Sequence, residues 1–140
     1  LPNARVALMG RIDERPMVLS LIESIPLGQR IDLIGKLDLS SVYACLARST
    51  FYIGNDSGLM HIAAAAGVPT LGLFGPTREE LYAPWGHNAA VVRTTLLFDE
   101  IFPDSFDHRT SDSLMDTLSV DMVEKAAHQL WKKCQSRRNG

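Results

Sequence analysis

Cysteine is scarce in this sequence: Cys45 and Cys134 are the only two among 140 residues. They lie far apart on what read as two helices, which fits reduced thiols in a cytoplasmic protein better than a disulfide framework. An excess of either charge is lacking as well. Fourteen Lys and Arg against sixteen Asp and Glu leave a net charge of −2, and with it no general pull toward nucleic acid or an anionic membrane. No apolar run reaches the ~20 residues of a membrane span, and no signal peptide is expected. The familiar nucleotide and catalytic fingerprints are missing too. There is no Gly-x-Gly-x-x-Gly and no phosphate-loop lysine motif. A Gly-x-Ser-x-Gly elbow would need glycine at 55 and 59, where Asn55 and Leu59 stand. His61, His87, His108 and His128, with the two cysteines, show no metal-ligand spacing, so no metal site is expected. An initiating methionine is absent, and a chain that opens Leu1-Pro2 is expected to be part of something longer.

What is present alternates between apolar runs and amphipathic stretches. Arg5 to Met9, Ile31 to Ile34, Phe51 to Ile53, Thr70 to Phe74 and Ala89 to Arg93 read as strands. Between them, Val18, Leu21, Ile22 and Ile25 share one helical face, capped by Asp13. Leu39, Val42, Tyr43 and Leu46 share another, capped by Asp38 or Ser40. Thr77 and Glu80 have capping-box spacing for a short helix ended by Pro84-Trp85-Gly86. Thr94 to Thr117 has no sustained period and reads as irregular. Ser119 can cap a final helix with Lys132 and Lys133 in its last turn, followed by a frayed tail from Gln135. Residues 1–140 thus read as one α/β domain, a Rossmann-like open parallel sheet with flanking helices.

The most informative stretch is Phe51 to Gly86, FYIGNDSGLMHIAAAAGVPTLGLFGPTREELYAPWG. A strand meets the polar corner Gly54-Asn55-Asp56-Ser57-Gly58, a small-residue helix follows, and Gly67 and Pro69 stop it before the next strand. That is a parallel βαβ unit, and such units bind ligands at the carboxyl ends of their strands. A helix opening at Ser57 points the free N–H groups of Ser57, Gly58 and Leu59 at an anion. Gly58, lacking a Cβ, lets a phosphate come close to the backbone. Asp56 is badly placed as a phosphate ligand: a carboxylate ~6 Å from a phosphate is repelled by ~3 kcal/mol at an effective dielectric of ~20. It is better suited to accept hydrogen bonds from neutral hydroxyls such as those of a sugar. Anion donors beside a hydroxyl acceptor suit a sugar phosphate or a nucleotide sugar. His61, one turn along, can donate to the ligand or lock the turn. Spacing alone leaves other readings open. Asp56-Ser57-Gly58 is equally compatible with a plain helix cap, His61 with a structural residue, and Ala63 to Ala66 with close helix–sheet packing.

Asn55 to Thr77 (NDSGLMHIAAAAGVPTLGLFGPT) strongly resembles the signature of the heptosyltransferases, glycosyltransferase family 9. That signature is Asp-Ser/Thr-Gly, a His after two further residues, an alanine-rich helix, Gly-x-Pro and Phe/Tyr-Gly-Pro-Thr. The similarity continues in Met9-Gly10 with Glu14, in Gly35-Lys36-Leu37-Asp38-Leu39, and in Met115 to Val123. It covers most of residues 5 to 93 and again 115 to 131.

The resemblance implies the donor-binding, C-terminal half of a two-domain GT-B fold. Its first strand, with a phosphate-binding lysine, and the N-terminal acceptor domain, with the general-base aspartate, are expected to be absent. By the same resemblance Asp56 holds the donor sugar, and Ser57, Gly58 and His61 surround the diphosphate. Glu14 holds ribose hydroxyls, and Lys36 and Leu37 border the base. Glu14 as a helix-start acid and Lys36 as a solvated surface residue remain open beside those roles. The implied activity of the parent is inverting transfer of a sugar from a nucleotide donor such as ADP-heptose to a lipopolysaccharide core acceptor. It needs no cofactor or metal, and its place is cytoplasmic or peripheral to the inner membrane. The fragment alone is expected to be inactive, and to self-associate through the seam left by the missing strand. Nucleotide-sugar 2-epimerases share Asp-Ser-Gly at this corner but continue with paired glutamates, where this chain has Met60-His61-Ile62-Ala63. A non-catalytic nucleotide-sugar-binding module is the alternative outside enzymology.

Overall fold

A computed structural model describes residues 3–96, 101 and 114–138. It divides into two compact units, residues 1–42 and 43–140.

In the first unit, strand β1 (Val6–Leu8) leads through a 3₁₀ helix (Ile12–Val18) and helix α1 (Leu19–Ser24) to strand β2 (Arg30–Asp32). The two strands pair in parallel, Ala7 opposite Ile31, so this is a short βαβ unit. The crossover opens differently from expectation. Asp13 caps nothing; the Glu14 carboxylate accepts the Arg11 N–H at 2.7 Å, and Pro16 lies within the 3₁₀ turn. Proline has no N–H to give to an α-helical ladder, which is why the amphipathic face becomes an α-helix only from Leu19. Gly35 ties the two strand ends together, its N–H bonding to the Gly10 carbonyl at 2.9 Å. It does so at φ +68, where a Cβ would stand 2.7 Å from that of Ile12. Helix α2 (Leu39–Ala47) begins where Asp38 accepts the Ser41 N–H at 2.7 Å.

The second unit holds a three-stranded parallel sheet in the order β3 (Tyr52–Asn55), β4 (Thr70–Phe74), β5 (Ala89–Arg93). Each unit thus carries parallel strands with flanking helices, the Rossmann-like α/β arrangement expected. Among the described residues β1 pairs only with β2, and β3 only with β4. Helix α3 (Gly58–Ala65) crosses from β3 to β4. It stops where Gly67 takes φ +76 and gives its N–H to the Ala64 carbonyl at 3.0 Å, a conformation open to glycine at little cost.

Strand β4 is the centre of this unit, with Thr70, Leu71 and Phe74 fully buried. Its two faces serve two helices. Gly72 and Phe74 share one face with Met60 of α3, so closely that a Cβ on Gly72 would lie 2.7 Å from the Met60 sulfur. Leu71 faces the other way and packs with Leu130 and Cys134 of helix α5 (Val120–Arg138), together with Val92, Val123 and Ala127. Phe51 and Trp131 meet at 6.1 Å on that same side.

The capping expectations divide. Ser119 accepts the Met122 N–H at 3.3 Å and opens α5 as expected. The Thr77–Glu80 box does not form: helix α4 (Glu79–Tyr82) has Arg78 at its N-cap and no side-chain cap. Helix α5 does not end near Lys132 and Lys133. It runs to Arg138, with Cys134 buried and Arg137 bonded to the His87 carbonyl at 3.0 Å. Cys45 and Cys134 are both free thiols. The irregular stretch read at Thr94 to Thr117 falls mostly outside the described residues.

Candidate functional site

The polar corner of the second unit stands at the carboxyl end of β3. Asp56 extends the β3–β4 ladder by one step, giving its N–H to the Leu73 carbonyl at 3.3 Å. Ser57 then takes extended backbone, φ −158 and ψ 167, and becomes the N-cap of α3. Its carbonyl accepts the Met60 N–H at 3.1 Å and the His61 N–H at 3.4 Å. No side chain caps the helix. Among the described residues no hydrogen bond ends on the Gly58 or Leu59 N–H. Those two amides therefore point outward, unpaired, at the positive end of a buried-face helix.

Asp56 is drawn in beside them, with its side chain only 16% exposed. His61 Nε2 lies 3.8 Å from Asp56 Oδ1, beyond hydrogen-bond range. Among the described residues no donor is bonded to that carboxylate. A half-buried acceptor thus keeps its lone pairs, next to two free amides and the exposed Ser57 and His61 side chains. Asp56, Ser57, Gly58 and His61 stand together at this corner.

Beside the corner, the chain leaving β4 is fixed by Arg93, at the end of β5. Its guanidinium pairs with Glu79 of α4 and reaches the Gly75 carbonyl at 3.3 Å. Both partners of the ion pair are mostly enclosed, which accounts for a helix that begins at Glu79 without help from Thr77.

The remaining expected residues, Glu14, Lys36 and Leu37, belong to the first unit, also at the carboxyl ends of their strands. Glu14 is exposed and has one oxygen committed to the Arg11 N–H, so the helix-start role is real; its other oxygen takes no bond among the described residues. Lys36 is not simply solvated. Its Nζ donates to the Asp32 carbonyl at 2.8 Å and lies 3.7 Å from the Asp32 carboxylate. Leu37 is half-buried.

Asp32 itself escaped the sequence reading, which folded it into an apolar strand. It takes a two-pronged pair from Arg15, at 3.1 and 2.6 Å, and the Ile34 N–H at 3.2 Å. The Arg15 bonds come first in holding its pKa down to about 2, with the Ile34 N–H and the charges of Arg15 and Lys36 adding to them against the cost of burial. Arg15 and Lys36 are thereby fixed in place by one carboxylate. A lone Asp ending a strand, with Arg 17 residues before it and Lys four after it, is the signal the sequence offered.

Residues 3–99 match the sequence pattern of glycosyltransferase family 9 (heptosyltransferase). A lipooligosaccharide heptosyltransferase 2 from Haemophilus influenzae is 35% identical over 91 residues, 63% of this chain and 26% of that protein. The crystal structure of a family 9 glycosyl transferase from Veillonella parvula superposes with a TM-score of 0.73 at 27% identity. That match covers 92% of this chain and 37% of the other. The E. coli heptosyltransferase WaaC, solved with ADP, shares the fold at TM-score 0.69 and 24% identity, over 90% of this chain and 34% of that one. This chain thus spans about a quarter to a third of the length of such proteins. Among the described residues no helix is long and apolar enough to cross a membrane.

Proposed function

The chain belongs to glycosyltransferase family 9 (heptosyltransferase), and from that premise we propose that it binds the nucleotide-diphosphate sugar donor of a heptosyltransferase. ADP-heptose is the donor this reading favours, since a heptosyltransferase of the same fold was solved with ADP. The observation that carries the proposal is the pairing of open Gly58 and Leu59 amides with the half-enclosed, unbonded Asp56 carboxylate. A diphosphate alone would be served by the amides and repelled by the carboxylate. A bare sugar would bring no negative charge to the positive end of the helix. One ligand that carries both groups satisfies both.

In the reaction, a hydroxyl of the lipopolysaccharide core acceptor attacks the anomeric carbon of the donor. Its proton passes to the aspartate that family resemblance assigns to the acceptor domain. A new carbon–oxygen bond forms with inversion as the bond from the anomeric carbon to the phosphate oxygen breaks, and the nucleoside diphosphate leaves with that electron pair. The Gly58 and Leu59 N–H groups and the Ser57 hydroxyl meet the charge growing on the leaving oxygens, as preorganised donors do. Each such bond to a charged group contributes ~1.5–3 kcal/mol, more than the ~0.3–2 kcal/mol of the helix dipole. Asp56 orients the sugar, and His61 stands where it can donate to the diphosphate. In the first unit, the free oxygen of Glu14 is assigned to ribose hydroxyls, and Lys36 and Leu37 to the edge of the base. The scheme requires no metal, and it places the work in the cytoplasm or at the inner face of the membrane.

Heptose transfer from ADP-heptose by the full-length protein is the direct test. The proposal expects turnover that Asp56→Ala abolishes or cuts by at least tenfold; turnover indifferent to that change would remove its basis.

A further inference from the structure

The turn after β1 is built to hold the Glu14 carboxylate in one place. The Glu14 N–H bonds to the Arg11 carbonyl at 3.2 Å, and its Oε2 accepts the Arg11 N–H at 2.7 Å. Gly10 leaves the room for this, since a Cβ there would stand 2.8 Å from the same oxygen. These bonds lie within the turn and fix Glu14 to it. The next residue ties the turn to the neighbouring strand. Arg15 reaches Asp32, at the end of β2, with both terminal nitrogens, at 3.1 and 2.6 Å. The Asp32 side chain is only 19% exposed. It also accepts the Ile34 N–H at 3.2 Å, while Lys36 Nζ bonds to the Asp32 backbone carbonyl at 2.8 Å. One residue thus joins the loop after β1, through Arg15, to the loop after β2, through Ile34 and Lys36. A planar guanidinium held by two parallel bonds resists rotation as well as displacement. Swinging Glu14, the residue beside it, therefore strains that fork.

We propose that Asp32 is a positioning residue for the donor's ribose: by gripping Arg15 it fixes the turn on which the Glu14 carboxylate stands, and so sets where that carboxylate meets the ribose hydroxyls. The inference rests on the donor-binding reading, which gives the free oxygen of Glu14 to those hydroxyls. Asp32 touches no part of the ligand in this scheme and acts through Arg15. Without the fork the turn keeps its internal bonds and the link from Gly35 to Gly10. Glu14 then gains freedom that the ligand must remove on binding.

Asp32→Asn in the full-length protein tests it, with ADP as the probe. The variant keeps the shape of the side chain and an oxygen for the Ile34 N–H, and loses the charge that holds Arg15. ADP should bind it about fivefold more weakly, the worth of one typical hydrogen bond. Dideoxy-ADP, which lacks both ribose hydroxyls, should bind variant and wild type alike. In a Glu14→Ala background the same substitution should leave ADP affinity unchanged, because the group it positions is gone. Should Asp32→Asn fail to fold, Arg15→Gln breaks the fork from its other side and carries the same comparison. Unchanged ADP affinity overturns the inference. An equal loss for ADP and dideoxy-ADP overturns it too, because a merely structural role makes no distinction between them. If the wild-type protein binds no ADP, the donor-binding reading fails and this inference falls with it; if the wild type binds ADP and the variant binds it equally well, this inference alone fails.

Discussion

His61 Nε2 stands 3.8 Å from Asp56 Oδ1, one turn along the helix that the Asp56 corner opens. The separation is too long for a hydrogen bond, so the imidazole approaches the carboxylate without occupying it. The bond that would close a structural His–Asp pair is not made. That is why the two residues are assigned to different parts of one ligand, the carboxylate to sugar hydroxyls and the imidazole to the diphosphate.

Asp56→Asn should separate those parts. It weakens hydrogen bonds to the donor sugar by the ~1.5–3 kcal/mol typical of a charged acceptor, or about 10- to 150-fold in kcat/KM for transfer. ADP carries no donor sugar and should bind the variant as well as before or more tightly, since a repelling charge has gone. Calorimetric titration with ADP beside a transfer assay checks both expectations.

Gly72 is where the fold leaves least room. Its missing Cβ would fall 2.7 Å from the Met60 sulfur and 2.8 Å from a Phe74 ring carbon, between β4 and α3. Gly72→Ala should destabilise by about 1–3 kcal/mol, the usual cost of overfilling a packed core. Denaturant unfolding reads this as a lower midpoint with an unchanged slope.

Acid should loosen the first unit through Asp32. Its folded pKa, about 2, lies below the ordinary 3.8, with the Arg15 hydrogen bonds as the main cause. The unfolded chain therefore takes up the proton first as pH falls. The stabilisation is complete above about pH 4 and is lost progressively as pH drops through about 2. Arg15→Ala should flatten the dependence in that window and leave it unaltered near neutrality. Unfolding midpoints measured from about pH 5 to about pH 2 will show the difference in slope.

Much of this was legible in the residues. Strands β4 and β5 carry their bounds in plain view, Thr70–Phe74 and Ala89–Arg93, because apolar runs between glycine and proline breaks leave little choice. The corner at Asp56 was legible for the same reason, a strand and a helix meeting with no residues to spare. What stayed hidden was set by partners distant in sequence. Arg93 bonds Glu79 and so moves the start of α4 away from a correctly spaced Thr77. Burial of Cys134 and the bond from Arg137 to His87 carry α5 past a polar tail that reads as frayed. Arg15 binds Asp32 across 17 residues and makes an anchor of what reads as a strand end.

Gly58 offers the most direct measurement. A Cβ there meets nothing within 4 Å and its φ is not positive, so Gly58→Ala should fold with an unchanged or higher thermal midpoint. If the opening amides of α3 grip a diphosphate, that methyl group lies where phosphate must approach, and ADP should bind the full-length variant at least about tenfold more weakly than wild type. Equal ADP affinity in the two proteins, each folded, would contradict the account.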